Sequence, residues 1–371
     1  MLVRGYGRKG KKTKHLVKLL TAHDIPVICH EDLDEVAAHS LLEAKVKAVI
    51  NCDQTISGRY PTKGAAVLID HGVILLDNLG KAFYDDMQEN DLIEIKHGHL
   101  FINGQKYHKD ITILSKKRME ELLQNAHQNF YYELEKFIEN TLEYASKEKN
   151  IILKGGNIPD IRTNMENRHV LIVVRGCHYK EDLKTIKGYI KDFRPILIGV
   201  DGGGDALLEF GLVPDIIIGD MDSVSDACLK KCKEIVVHAY TDGRAPGLDR
   251  VKELGLEAKV FPFPGTSEDI AMLMAYEKKA DLIVAVGTHS NIIDFLEKGR
   301  KGMSSTMLIR LKVGSKLVDA KGVSKLYANK LKLSYCIPIL ISALIPIIAI
   351  VKIYIPIEIL LDIFQIKLGL K

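Results

Sequence analysis

Carboxylates follow two neighbouring apolar runs of this sequence, at the points where each run ends. Asp201 comes directly after residues 196–200, and Asp220 and Asp222 follow residues 216–218. Short runs of β-branched residues that stop at turn residues are typical of buried strands. In an open parallel sheet, the carboxyl ends of the strands border the crevice in which ligands bind. We therefore expect these three carboxylates to meet at one crevice.

Unpaired carboxylates are a poor way to stabilise a fold, because they repel one another and lose hydration when they are buried. A hydrated Mg²⁺ carrying a polyphosphate would compensate their charge, since this ion takes one or two carboxylates together with phosphate oxygens. The glycines at 202–204 would let the backbone turn sharply and approach such a ligand. The competing interpretation is that these residues are ordinary turn and N-cap residues, and for Asp201 or Ser223 alone it is an equal alternative.

Other predicted strand ends in the same region carry groups that suit phosphate. Guanidinium groups match the oxygens of a phosphate, so arginines at these ends are candidates for phosphate contacts. Arg300 has a second interpretation, as part of a solvated turn. The residues that we expect to bind the nucleotide are Gly202, Gly203, Arg175, Ser223, Arg244, Thr288 and Arg300.

Apolar runs alternate with helical segments throughout residues 151–330. This alternation predicts an α/β fold with a doubly wound parallel sheet. The runs end in Gly, Asp, Arg or hydroxyl residues, and that repeated placement predicts an active crevice at one edge of the sheet. The predicted strands are 170–174, 196–200, 216–218, 234–240, 259–263 and 282–286.

Two sequence motifs resemble those of a known family. DGGGDALLEFG, which begins at Asp201, and PDIIIGDMDS, which ends at Ser223, resemble the catalytic domain of thiamin pyrophosphokinases. The resemblance implies a site for Mg²⁺ and for ATP or another nucleotide. Asp269 matches a further aspartate of that family's motif, although a helix N-cap cluster with Thr266 and Ser267 is the alternative. The catalytic and metal-binding residues that the resemblance implies are Asp201, Asp220, Asp222 and Asp269.

Residues 170–327 resemble more closely the SteA family of cytokinetic ring proteins, in which such a domain is joined to a C-terminal membrane anchor. Among the matching words are RGCHYKEDL, GDMDSVSDA, HAYTDGRAPG and SKLVDAKGVSKLY. This resemblance implies a role in cell division or envelope assembly through protein partners, and a homodimer is a further option.

The sequence departs from the pyrophosphokinases after the last predicted strand. Residues 287–291 read GTHSN, where those kinases carry Gly-Gly-Arg-x-Asp-His, the word associated with thiamin binding. Metal and nucleotide binding is therefore better supported than the use of thiamin. The alternatives are an active thiamin diphosphokinase, which transfers the diphosphate of ATP, and a scaffold that binds no nucleotide.

The first hundred residues predict a smaller α/β domain of their own. HEDLD and SGRYP loosely resemble the swivelling phosphohistidine-type domain of phosphoenolpyruvate-utilising enzymes, and the SteA family carries a similar segment. His30 invites comparison with a phosphoryl-carrying histidine, but a hydrogen-bonded histidine at a strand end is the better interpretation. The expected divisions are 1–112 for this domain, 113–150 for a linking helix, 151–330 for the nucleotide-binding domain, 333–351 for a transmembrane helix and 352–371 for a tail.

The C-terminal prediction rests on hydropathy. Residues 333–351 are nineteen residues without a charge, about the length that spans ~30 Å of hydrocarbon. Pro338 and Pro346 would be tolerated in a membrane helix. Lysines crowd before this segment, so the positive-inside bias would leave both folded domains in the cytoplasm of a single-pass membrane protein. A buried core helix is the alternative.

Composition and charge narrow the remaining classes. The 52 basic and 48 acidic residues give a formal net charge of +4, which does not indicate nucleic-acid binding. Basic residues crowd before residue 19, which suits either an arm for an anionic surface or a solvated end. The six cysteines have no disulfide or zinc spacing, so a reduced compartment is expected. A signal peptide is not expected, because no apolar core follows the basic start.

Overall fold

The computed structural model describes residues 2–108, 111–326, 333–354 and 357–369. The chain divides into two units, Met1–Val323 and Ser324–Lys371. The first unit contains two sheets with their helices and a long helix between them in sequence. Mixed α/β structure with parallel strands, which the sequence predicted, is confirmed. The domain boundaries and the likeness to a swivelling domain remain predictions.

The first sheet is mixed and has eight strands among the described residues. Its strands are β1 (Leu2–Gly10), β2 (Asp24–Ile28), β3 (Ala48–Asn51), β4 (Ile74–Asp77), β5 (Leu92–Lys96), β6 (His99–Ile102), β7 (Gln105–Lys106) and β8 (Thr112–Ile113). They lie in the order β7-β6-β5-β1-β2-β3-β4-β8. The strands β1 to β4 are parallel to one another, and every other pairing in the sheet, β1 with β5, β5 with β6, β6 with β7 and β4 with β8, is antiparallel.

Helices cover both faces of this sheet. Leu41 and Leu68 pack on one face, and Phe83 packs on the other. Asp34 caps one of the helices by accepting a hydrogen bond from the amide of Ala37 at 2.6 Å. The helices are α1 (Thr13–Leu16), α2 (Glu35–Glu43), α3 (Gly64–Asp70) and α4 (Lys81–Asp86).

Strand β1 was not expected from the sequence, which suggested either a basic arm or a solvated end. Its residues alternate between exposed and buried, and two of the buried positions are glycine. A Cβ at Gly5 would lie 2.5 Å from the carbonyl oxygen of His23, and one at Gly7 would meet Ile93 at 2.9 Å. The glycines therefore allow close packing between strands, although they resemble loop residues in the sequence.

Helix α5 (Lys116–Lys154) lies between the two sheets in sequence. It occupies the region in which the linking helix at 113–150 was predicted. Ser115 caps its start through the amide of Arg118, and Gly155 ends it in a left-handed conformation. Met119 belongs to the core of the first sheet, whereas Ile152 belongs to the core of the second. One helix is thus packed at both ends, and it ties the sheets together.

The second sheet has seven described strands, all parallel to their neighbours. They are β9 (His169–Val173), β10 (Ile196–Val200), β11 (Ile216–Gly219), β12 (Glu234–Ala239), β13 (Lys259–Pro262), β14 (Leu282–Val286) and β15 (Leu317–Asp319). Their order is β13-β12-β11-β10-β9-β14-β15. The chain therefore reverses its direction of travel across the sheet between β9 and β14, which is where ligands bind in open sheets.

Helices pack on both faces of the second sheet as well. One face holds Ile198, Ile218 and Ile270, and the other holds Leu171, Leu197 and Leu207. The helices are α6 (Tyr179–Thr185), α7 (Lys187–Phe193), α8 (Gly203–Glu209), α9 (Asp226–Lys231), α10 (Gly247–Glu253), α11 (Ser267–Glu277), α12 (Ile292–Glu297) and α13 (Ser304–Val313). A short helix, α14 (Val323–Leu326), follows in sequence.

The predicted transmembrane helix at 333–351 is wrong, and with it the prediction of a single-pass membrane protein. The second unit contains α15 (Leu333–Tyr354) and α16 (Ile357–Lys367). Among the described residues, none of the helices is both long enough and apolar enough to cross a bilayer.

Candidate functional site

A cleft of about 870 Å³ lies at the carboxyl ends of the central strands of the second sheet. It receives the residues that follow β9, β10, β11, β12 and β14, as the sequence predicted for a crevice of this kind. We refer to the first sheet with its helices as the first domain and to the second sheet with its helices as the second domain. Residues of the first domain form the other wall of the cleft. The predicted site residues that line the cleft are Arg175, Asp201, Gly202, Asp220, Asp222, Ser223 and Arg300.

Asp201 and Asp220 both line this cleft, and they lie close enough for the charge of one to act on the other. Oδ1 of Asp201 also accepts the amide of Met221 at 3.1 Å. The side chain of Asp201 is partly exposed to the cleft, but protein atoms surround most of it. This burial raises the pKa of Asp201, and the nearby charge of Asp220 raises it further, to about 7. The pair thus favours a bound proton or cation.

Backbone geometry positions this pair. Asp201 has a φ of 46° and Met221 a φ of 67°, both in the left-handed region that most residues avoid. Gly219 lies beside Asp201, and a Cβ at that position would collide with the Asp201 carboxylate. The two aspartates can approach only because residue 219 has no side chain.

The turn after β11 is held by further hydrogen bonds. Oδ1 of Asp220 accepts the amide of Asp222 at 2.9 Å. Arg250 donates to the carbonyl oxygens of Met221 and Val224, with the second bond at 2.9 Å. The carboxylate of Asp222 remains about half exposed at the rim of the cleft. The Asp220 carboxylate therefore helps to hold the turn in which it lies, and the Asp222 carboxylate lies at the rim of the cleft.

The glycines after β10 have different roles. Gly202 lines the cleft, and Cδ of Arg175 lies 2.7 Å from the position that a Cβ on it would take. Gly203 does not line the cleft, because it packs against the carbonyl oxygen of Val173, with which a Cβ would collide. Gly203 thus brings α8 close to β9, whereas Gly202 lies beside the space available to a ligand.

Two of the three predicted arginines line the cleft, and the third does not. Arg175 lies over the ring of Tyr179, with 6.0 Å between the guanidinium carbon and the ring centroid, and it faces the cleft. Arg300 also lines the cleft and is exposed. Arg244 does not line it: its Nε donates to Asp242 at 2.7 Å, and its guanidinium stacks 5.0 Å from the ring centroid of Tyr240.

Asp269 is buried beneath the cleft rather than exposed in it. Its Oδ2 accepts the hydroxyls of Ser305 and Thr306, each at 2.9 Å, and the amide of Thr266 at 3.0 Å. Thr266 completes a capping box with Asp269 at the start of α11, the N-cap arrangement named as an alternative. Burial raises the pKa of Asp269, and the charge of Glu268 adds to the effect.

Thr288 is fully buried and also lies outside the cleft lining. Its hydroxyl accepts a hydrogen bond from Arg310 at 3.2 Å and lies 3.4 Å from Asp319. The polar partners of Thr288 are therefore side chains of α13 and β15, behind the wall of the cleft.

Sequence reasoning did not single out an ionic group beside the cleft. The carboxylate of Glu268 is 2.9 Å from Nδ1 of His289, whose backbone amide donates to the same carboxylate at 2.9 Å. Lys298 lies 3.7 Å away. Burial alone would raise the pKa of Glu268, but His289 and Lys298 outweigh it and hold the pKa at about 2. Glu268 lies at the start of α11 and His289 follows β14, so both are at the same edge of the sheet. That shared position is the sequence signal from which their contact could have been predicted.

His238 is a second cleft residue that sequence reasoning missed. Its Nε2 lies 2.9 Å from the carbonyl oxygen of Phe263, which can only accept, so Nε2 carries the proton. Nδ1 is then free to accept from the hydroxyl of Ser267 at 3.2 Å. Burial lowers the pKa of His238, which favours this neutral tautomer.

The number of side chains able to bind a metal ion determines which divalent cation suits the cleft. Across the described ranges, no three or more His, Cys, Asp and Glu side chains are grouped so that they could hold a metal ion. Mg²⁺ usually takes only one or two carboxylates from a protein and completes its shell with water and phosphate. The pair of Asp201 and Asp220, whose side chains both line the cleft, matches that requirement.

Comparison with known proteins finds matches both to the SteA family and to a pyrophosphokinase. Residues 321–370 match the family described as the SteA-like C-terminal domain. The chain is 31% identical over 160 residues to a 6-hydroxymethyl-7,8-dihydropterin pyrophosphokinase of Methanocaldococcus jannaschii. That match covers 37% of this chain and 66% of the archaeal protein. The predicted similarity to pyrophosphokinases and to the SteA family is therefore confirmed.

Two solved structures are also similar. One is a thiamine pyrophosphokinase from Bacillus subtilis, with 24% identity, a TM-score of 0.26 and coverage of 41% of this chain and 59% of the other. The second is a protein from Lactobacillus plantarum, with 20% identity, a TM-score of 0.21 and coverage of 36% and 53%. The chain thus spans little more than half of each structure.

Proposed function

We propose that the cleft binds a nucleoside triphosphate together with a divalent cation such as Mg²⁺. The observation that carries the proposal is the meeting of Asp201 and Asp220 at the base of a cleft of about 870 Å³. When both of these neighbouring carboxylates are ionised they repel each other, so a positive charge between them is favourable. A cation bridging to phosphate oxygens supplies it when the ligand is bound.

The rest of the cleft provides the two surfaces that such a ligand requires. Arg175 and Arg300 offer guanidinium groups for phosphate oxygens. Tyr240, Pro246 and Phe263 provide an apolar wall on which a ring can pack. In this proposal Asp201 and Asp220 hold the cation and Asp222 lies within reach at the rim. Asp269 supports the turn before α11 from below.

A second candidate is diphosphoryl transfer, favoured by the similarity to an archaeal protein whose name describes a pyrophosphokinase of 6-hydroxymethyl-7,8-dihydropterin. In such a reaction the acceptor oxygen bonds to the β-phosphorus of ATP, the bond from that phosphorus to the α-β bridging oxygen breaks, and AMP leaves. The residues of this chain would bind and align the phosphates. The apolar wall would hold a flat acceptor beside them.

The C-terminal match supports a further part of the proposal. Because residues 321–370 are SteA-like, we place the nucleotide-binding domain in a protein of cell division or envelope assembly that acts through protein partners. Nucleotide binding would then regulate those contacts, and catalysis would be an additional property.

Isothermal titration calorimetry of the full chain with ATP and Mg²⁺ tests the proposal. We expect saturable binding that EDTA abolishes and that Asp220→Asn weakens at least about tenfold, since one charge-assisted ligand is lost. Asp160→Asn is the matched control, because Asp160 is fully exposed and lies outside the cleft lining. Heat changes that are equal with and without Mg²⁺, or equal for the two variants, would contradict the proposal.

Product analysis separates the two candidates. The full chain is incubated with ATP, Mg²⁺ and either thiamin or 6-hydroxymethyl-7,8-dihydropterin. Formation of AMP and a diphosphorylated acceptor in equal amounts would establish transfer. Binding without AMP release would support a nucleotide-binding protein that uses its ligand as a signal.

A further inference from the structure

Basic side chains of the first domain face the cleft of the second domain. Lys14, His15 and Lys18 line the cleft. Nζ of Lys14 lies 3.0 Å from the hydroxyl oxygen of Ser223, in the turn that carries Asp220 and Asp222. These contacts join residues more than two hundred positions apart in sequence.

The packing of the short helix α1 explains why these side chains face the cleft. Thr13 and Leu16 are buried in the first domain. The Thr13 hydroxyl lies 3.0 Å from Nδ1 of His30, and Leu16 packs closely against Gly10. Lys14 lies in this helix and Lys18 in the turn that follows it, and both side chains line the cleft. The core of the first domain thus fixes the position of the lysines.

The present partners of these lysines bind them weakly. Ser223 offers Lys14 only a neutral hydroxyl. Lys12 lies 3.6 Å from the carboxylate of Asp222, but both side chains are more than half exposed, and such pairs contribute little to stability. The lysine charges also act on the cleft, because they lower the pKa of His15 in addition to its burial. Exchanging these contacts for contacts with a phosphate would therefore cost little free energy.

We infer that Lys14 and Lys18 bind the phosphate chain of the ligand, so that the first domain completes the polyphosphate site of the second. The inference rests on the proposed function, because it assumes a polyphosphate in the cleft. On one side of that ligand, Asp201 and Asp220 would meet the cation. On the other, the ammonium groups would neutralise the oxygens of the terminal phosphate, which carries more charge than either of the other two.

Binding titrations with the full chain test this role. We expect Lys14→Gln to weaken Mg²⁺·ATP and Mg²⁺·tripolyphosphate by about tenfold each, the effect of one charged hydrogen bond. AMP should be affected less than twofold, because it lacks the terminal phosphates. Lys14→Arg should restore most of the affinity, since it keeps the charge. Lys106→Gln is the control, because it removes an exposed lysine of the same domain on the outer strand β7.

Failure of the inference can be distinguished from failure of the proposed function. If Asp220→Asn loses Mg²⁺·ATP and Lys14→Gln binds within twofold of the original chain, the lysine role is wrong and the proposed function stands. Equal weakening of AMP and ATP by Lys14→Gln would also overturn the inference, since it would indicate a structural effect. If the unaltered chain binds neither Mg²⁺·ATP nor Mg²⁺·tripolyphosphate, both are wrong.

Discussion

The carboxylate of Asp201 occupies the space in which a side chain at Gly219 would have to lie. Strand β11 therefore ends in a residue that leaves room for the carboxylate from β10, and Asp220 follows at once. This relationship makes the distance between the two aspartates depend on a residue that has no functional group of its own.

Replacement of Gly219 by alanine should displace Asp201 and abolish cation-dependent nucleotide binding. The added Cβ would collide with the carboxylate, so either the backbone of β11 or the Asp201 side chain must move. We expect a loss of about 1–3 kcal/mol in the free energy of unfolding, as for other overpacked sites. Urea denaturation gives the stability, and calorimetry gives the affinity.

Gly188→Ala is the matched control for this substitution. Gly188 lies in α7, and a Cβ there would meet no atom within 4 Å. Alanine is also a better helix former than glycine, so the control should be neutral or slightly stabilising. Unchanged nucleotide binding in Gly219→Ala would contradict the proposed position of Asp201.

Asp201→Asn should stabilise the protein in the absence of cation while it removes cation binding. Burial and the neighbouring charge of Asp220 raise the pKa of Asp201 to about 7, so its ionised form is unfavourable in the folded state. An amide removes the repulsion. The melting temperature of the variant in EDTA should exceed that of the unaltered chain at pH 8, and Mg²⁺·ATP should no longer raise it. A lower melting temperature in EDTA would show that the carboxylate is stabilising.

Glu297→Gln should alter the pH dependence of stability. Burial raises the pKa of Glu297 to about 8, and Asp34 of the first domain, Asp294 and Glu35 add to it. Because the folded state holds this proton more tightly than the unfolded state does, stability falls as pH rises from about 4 to about 8. Glutamine cannot ionise, so the variant should lose this part of the fall.

The expected gain for Glu297→Gln is on the order of 1–2 kcal/mol at pH 8.5, reduced from the full shift because the side chain is partly exposed. At pH 4 the two proteins should be nearly equal. Thermal melts across this range provide the measurement. A constant difference at every pH would show that Glu297 acts through packing instead of ionisation.

Glu268 and His289 should be energetically coupled. His289 and Lys298 hold the pKa of Glu268 at about 2, below its ordinary value, so these contacts contribute stability above about pH 4.5 and lose it as pH falls towards 2. Glu268→Gln should cost roughly 3 kcal/mol at pH 7, because it removes one partner of a buried pair. A double-mutant cycle with His289→Gln should give a coupling energy of about 1–3 kcal/mol. A coupling near zero would show that the two side chains act independently.

The sequence could predict the second sheet and the meeting of Asp201 with Asp220, because local patterns specify them. Apolar runs that end in glycine and aspartate mark the carboxyl ends of parallel strands, whose positions in the sheet follow from the βαβ pattern. The capping box of Thr266 and Asp269 is also a local pattern. Its burial is not local, because Ser305 and Thr306 come from α13.

The remaining features depend on contacts between distant segments. Strand β1 carries glycines and arginines that resemble a loop, and its pairing with β5 joins residues some ninety positions apart. The contact of Lys14 with Ser223 crosses between domains and has no signature in either segment. The predicted membrane span is wrong on a separate ground, since no helix among the described residues is both long and apolar enough to cross a bilayer.

Manganese titration of the full chain tests the central claim most directly, because Mn²⁺ replaces Mg²⁺ at oxygen ligands and its binding can be counted by electron paramagnetic resonance. With ATP present, we predict one tightly bound Mn²⁺ per chain for the unaltered protein and for Asp160→Asn. Asp201→Asn and Asp220→Asn should each lose it. Retention of that bound ion by both of these variants would contradict the assignment of Asp201 and Asp220 as the cation site.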